Sequence, residues 1–121
     1  MARPQAARRV KNYSAATGCV YTYYFCEMQK SRRGLHGGRE YVYMVAADRG
    51  AAFPLRVFVR QDAVRDWGRR IGRALSGTEE YAVAKLRLFQ AFDELEDLAT
   101  TRPDLLVDTS NLESLLAQLD L

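Results

Sequence analysis

The chain has 121 residues, 48% of them hydrophobic and 27% charged, with a formal charge of +3. That length suits one domain able to bury about two thirds of its unfolded surface without staples. No apolar run approaches the roughly 20 residues that a helix needs to cross a bilayer, so no membrane partner is expected. Charge is sorted along the chain: residues 1–75 hold 15 Lys and Arg against 5 Asp and Glu, and residues 76–121 hold 3 against 10. A basic body followed by an acidic tail implies an anionic partner, an internal electrostatic latch, or both.

Residues 1–16 carry Arg3, Pro4, Arg8, Arg9 and Lys11, with Val10 and Tyr13 as the large apolar groups. So little apolar surface does not offset the cost of ordering the chain, and the composition predicts a mobile basic arm. The start is basic but no apolar h-region follows it, which points to a cytoplasmic protein rather than a secreted one. The stretch Cys19 to Lys30 is dense in aromatic and β-branched residues and predicts a strand. Within one extended strand Cys19 and Cys26 lie roughly 23 Å apart, far beyond a disulfide span, so both are expected as reduced thiols. With one His in the chain and no CxxC, neither a metal site nor a cofactor is expected.

Ser31 to Arg39 sets three glycines among basic residues, the composition of a hairpin tip or of a loop whose amides meet an anion. It lacks the spacing of a nucleotide-binding loop, and His36 has no recognisable catalytic partner in the sequence. Residues 40–47 predict a second strand and Phe53 to Arg60 a third, with Pro54 admissible at a strand start or edge.

The period then changes. Asp62 is a candidate N-cap, and Val64, Trp67, Ile71 and Leu75 mark the apolar face of a helix over 63–75. Gly68 and Gly72 weaken it and leave room for a close neighbour. Arg65, Arg69 and Arg73 recur at every fourth residue as a basic stripe, with Arg70 beside them. Ser76 to Glu79 reads as a capping box opening a second helix over 78–99, which Arg102-Pro103 ends. Ser110 to Glu113 reads as another capping box before an amphipathic helix with Leu112, Leu115, Leu116 and Leu119 on one face. Strands grouped before helices predict an α+β fold: a three- or four-stranded antiparallel meander, two helices and a short C-terminal amphipathic helix. The expected organisation is a mobile arm over 1–16, one α+β domain over 17–101 and an acidic, leucine-rich tail over 102–121.

Strand alternation places Phe53, Leu55, Val57 and Val59 on one face of the third strand, as core, and Pro54, Arg56, Phe58 and Arg60 on the other. A sheet face that mixes arginines with tyrosines from neighbouring strands is what a single-strand binder needs, because bases stack on rings and phosphates pair with guanidinium groups. The candidate nucleic-acid-binding residues are Arg32, Arg33, Arg39, Tyr41, Tyr43, Arg56, Phe58 and Arg60. The plainer alternative for the tyrosines is the core or a dimer interface. The strand and helix order over 19–75 is similar to that of repeats that bind purine-rich single strands. That likeness is one of topology and assigns no residue a role.

The expectation is therefore a small nucleic-acid-binding or regulatory protein, non-enzymatic, homo-oligomeric and directed at single strands. The other reading is a protein-interaction or homodimerisation module docking through residues 110–121. Asp93, Glu94, Glu96 and Asp97 form an acidic cluster read first as a solvated face, with a patch for a basic partner or a latch over the body's arginines as alternatives. No nucleophile, base and orienting group assemble into an enzyme site.

Overall fold

The structure is a computed structural model describing residues 9–121. Residues 1–8 of the expected arm lie outside it. The aromatic run after Cys19 forms the longest strand because alternate rings can be buried on one side while its backbone pairs with neighbours on both edges. In chain order the elements are β1 (Lys11–Ser14), β2 (Val20–Arg33), β3 (His36–Ala47), β4 (Phe53–Arg60), α1 (Gln61–Ile71), α2 (Gly77–Glu94), α3 (Leu98–Thr101), β5 (Asp104–Val107) and α4 (Leu112–Ala117). The five strands make one sheet in the order β1-β2-β3-β4-β5, antiparallel throughout except that β5 runs parallel to β4. The α+β class follows, with a curled sheet and four helices.

Several boundaries differ from the expectation for physical reasons. Ser31 to Arg39 is mostly strand: β2 and β3 continue to a two-residue turn at Gly34-Leu35, where Gly34 takes a φ of 60°, a left-handed geometry that glycine adopts without strain. Gly38 lies within β3, paired with Ser31 and Arg60, where a Cβ would come within 2.5 Å of Phe58 Cζ and 2.6 Å of the Val59 carbonyl. Helix α1 starts directly after β4 with Arg60 at the N-cap, and Asp62 falls in its first turn. It ends at Gly72, whose φ of 91° lets its N–H reach the Gly68 carbonyl. The capping box of Ser76 and Glu79 forms as expected. The second helix stops at Glu94, because Leu95 turns extended and Asp97 takes a left-handed φ. At α4 the expected box does not form: Asn111 is the N-cap, while Ser110 bonds to Asp108.

The packed body extends past residues 17–101 at both ends. β1 pairs with β2 and is pinned by Asp93, which accepts from the Tyr13 hydroxyl (2.6 Å) and the Ala16 amide (2.9 Å). In the acidic tail, Leu105 and Val107 of β5 and Leu112, Leu115 and Leu116 of α4 belong to the main core. That core lies between one sheet face and the helices. Tyr21, Tyr23, Tyr41, Tyr43, Val45, Phe53, Leu55, Val57 and Val59 meet Trp67 of α1 and Val83, Leu88 and Phe92 of α2. Tyr21 stacks on Phe92 with centroids 4.2 Å apart, and Tyr13 stacks on Phe89 at 4.4 Å, contacts that add to area burial. Cys19 and Cys26 are unbridged and half-buried.

Candidate nucleic-acid interface

Parity along the strands decides which candidate residues meet. Opposite β2, β3 and β4, the face away from the helices holds Arg33, Glu40, Arg56, Phe58 and Arg60, since Glu40 pairs with Phe58 and Val42 with Arg56 across the ladder. Tyr41 and Tyr43 pair with Val57 and Leu55, so they belong to the core face. They are 4% and 0% exposed. The rings expected beside Arg56 are thus on the opposite side of the sheet, inside the molecule. The Tyr41 hydroxyl donates to Glu80 at 2.7 Å; burial, helped by that carboxylate, raises its pKa. The Tyr43 hydroxyl is buried without a hydrogen-bond partner, and burial raises its pKa too.

On the open face the arginines are matched by acids. Glu40, 6% exposed, receives Arg33 Nη2 at 2.9 Å, Gln29 Nε2 at 3.2 Å and the Arg56 guanidinium at 3.1 Å. Arg33 also reaches Asp104 of β5 at 2.9 Å, and these two carboxylates hold its pKa up, Asp104 most strongly. The Arg33 guanidinium lies 4.8 Å over the Phe58 ring, which is 1% exposed beneath it. Arg60 pairs with Asp62 and donates to His36 Nδ1 at 3.0 Å. Two cations and two anions therefore share the centre of this face, and its ring is capped.

The remaining candidates, Arg32 and Arg39, sit elsewhere. The register puts Lys30 opposite Arg39 and Arg32 opposite Gly37, on the helix side of the β2–β3 hairpin. The hairpin runs past the helix layer, and α1 lies alongside it. Between them are two adjoining clefts. One of about 320 Å³ is lined by Lys30, Arg32 and Arg39; the other, of about 550 Å³, is lined by Arg39, Arg69 and Arg73. Arg39, Gln61 and Arg65 line both. Six basic side chains thus face one continuous groove, and no carboxylate or aromatic side chain lines it.

The acids that touch this groove do so from its edges. Glu80, 1% exposed on α2, accepts from Arg39 Nη1 at 2.9 Å, from Tyr41 Oη at 2.7 Å and from Gln61 Nε2 at 3.3 Å. It therefore fixes two of the residues common to both clefts. Glu79 takes Arg73 through both oxygens, at 2.9 and 2.8 Å, and also accepts from the Ser76 amide. Arg73, then Ser76, hold the Glu79 carboxyl at a pKa of about 2. Lys30, Arg65 and Arg69 have no such acid: among the described residues none of them forms an ion pair. All three are exposed.

Ion pairs join the acidic half to the basic half, but among the described residues none involves the cluster Asp93, Glu94, Glu96 and Asp97. Glu79, Glu80, Asp104 and Glu113 from the acidic half pair with Arg73, Arg39, Arg33 and Arg70 from the basic half. Of the leucines of residues 110–121, Leu112, Leu115 and Leu116 are at most 3% exposed and Leu119 is partly buried against the core, while Leu121 is exposed. The stripe Arg65, Arg69 and Arg73 was legible from its spacing. Lys30, Gln61 and Glu80 were not, since their role depends on the hairpin lying beside α1.

Among the described residues no group of His, Cys, Asp and Glu is placed to hold a metal ion, and no helix is long and apolar enough to cross a membrane. No family model, curated protein or solved structure matches the chain.

Proposed function

We propose that this protein binds nucleic acid, a single strand, by its phosphates, in the groove between the β2–β3 hairpin and α1. The observation that carries the reading is the groove itself: six basic side chains line it, with no carboxylate among the lining residues. Exposed cations that lack protein partners are the groups that gain most from phosphates, and the counterions released from the polymer drive association. The open sheet face, favoured from the sequence, is the weaker candidate because Glu40 and Asp104 already occupy Arg33 and Arg56. Of the eight residues put forward from the sequence, Arg32 and Arg39 are the two that line the groove.

Fluorescence-anisotropy titration of the whole protein with labelled single-stranded and duplex oligonucleotides over a salt series tests the reading. Neutralising phosphates with Lys30, Arg65 and Arg69 alone gives a slope of about −2 for log K against log salt on a single strand. Affinity that does not fall with salt, or no binding at low salt, rejects the proposal. Preference for duplex rejects its single-strand part.

A further inference from the structure

The groove differs from a stacking platform in one respect: rings are absent from it. The chain has seven tyrosines, five phenylalanines and one tryptophan, all among the described residues; each is buried or half-buried, and none lines the groove. Trp67, the ring nearest the basic stripe in sequence, is 3% exposed and covered by the Arg73 guanidinium at 5.2 Å. Base stacking on aromatic side chains therefore has no surface in the groove.

Hydrogen-bond readout is also poorly provided for. Reading a base edge takes donors and acceptors held at fixed positions. Apart from the cations, the polar side chains along the groove are Ser31 and Gln61. The Gln61 amide nitrogen is turned toward Glu80 at 3.3 Å and the Val59 carbonyl at 3.5 Å. The cations present are donors without acceptor capacity, which suits phosphate oxygens on any sequence and, among base edges, chiefly the acceptors of guanine. Guanidinium planes can lie on bases, and they do so without telling one base from another.

Resting on the nucleic-acid reading above, we infer that this groove recognises the sugar–phosphate backbone and takes no information from the bases. Its ligand is a single strand of any sequence, held by Lys30, Arg65 and Arg69 around an Arg39 that Glu80 has already oriented.

The test is anisotropy titration of the full chain with four labelled single-stranded probes of equal length: mixed sequence, oligo-dT, oligo-dA and a strand of abasic sites. The expected result is four affinities within about fivefold and four equal salt slopes, set by phosphate contacts alone. Arg65→Ala with Arg69→Ala lowers all four together, and circular dichroism checks that this exposed-site variant stays folded. Binding of the abasic strand weaker than the mixed sequence by more than about fivefold, or a comparable gap between oligo-dT and oligo-dA, overturns the inference and leaves the nucleic-acid reading standing. If no probe binds at low salt, both fall.

Discussion

The open face of the sheet and the groove beside α1 both carry arginines, but the face is charge-balanced and the groove keeps unpaired cations. On the face, Arg33 and Arg56 converge on Glu40 and Asp104, and Phe58 is shut under a guanidinium. In the groove, Lys30, Arg65 and Arg69 project with no acid opposite them. An arginine's availability is thus set by what the fold places against it. A cation already paired with a carboxylate must break that pair to bind phosphate, whereas a solvated one exchanges only water and counterions.

The largest effect expected on this contrast is at Glu80. Glu80→Ala leaves the buried Tyr41 hydroxyl and the Arg39 guanidinium without their acceptor, at a cost of about 3 kcal/mol in urea denaturation. A change under about 1 kcal/mol would mean that the groove does not depend on this carboxylate. Next is Gly38→Ala on the open side. Its Cβ would meet Phe58 Cζ at 2.5 Å and the Val59 carbonyl at 2.6 Å, an overpacking expected to cost about 1–3 kcal/mol. Thermal melts of Gly38→Ala and of Gly38→Ala with Phe58→Leu should show partial recovery in the double variant. Without recovery, the clash lies with the backbone alone.

The binding contrast follows in size. Arg65→Ala with Arg69→Ala should weaken oligonucleotide binding by about tenfold at low salt, while Arg33→Ala with Arg56→Ala changes it by less than about twofold. The reverse ranking would return the site to the sheet face.

The smallest effect is on the pH profile. The folded Glu79 carboxyl lies at about 2, below its ordinary 4.5. The stability it adds is complete above pH 4.5 and is lost as pH falls from there toward 2. Protonation also frees Arg73 at the end of the groove. Glu79→Gln should flatten melting temperature against pH in that window. On the alkaline side, the Asp93 hydrogen bond raises the Tyr13 phenol from 10.0 to about 12, and burial does the same for Tyr21. These protons are held more tightly in the folded chain, so stability is full below pH 10 and declines between 10 and 12. A melt profile level across pH 10–12 would contradict the environments of both rings.

Local pattern was enough for much of this chain. Alternation in Phe53 to Arg60 separated core from open side, because a strand has period two whatever it packs against. The Ser76–Glu79 capping box and the Arg65, Arg69, Arg73 stripe were equally legible, as both are set by contacts three and four residues apart. What only the tertiary structure decided is contact between distant segments. Tyr41 and Tyr43 went to the core because register with β4, fixed across the ladder, put them opposite Val57 and Leu55. Residues 104–107 became a strand by pairing with β4, an edge that four residues cannot hold alone. Arg33 was neutralised by Asp104 from 71 positions away, while Lys30 and Arg69 were left lining adjoining clefts without an ion-pair partner. Sequence carries each side chain's charge and its local face, and only the packed chain determines which charges are brought within bonding distance.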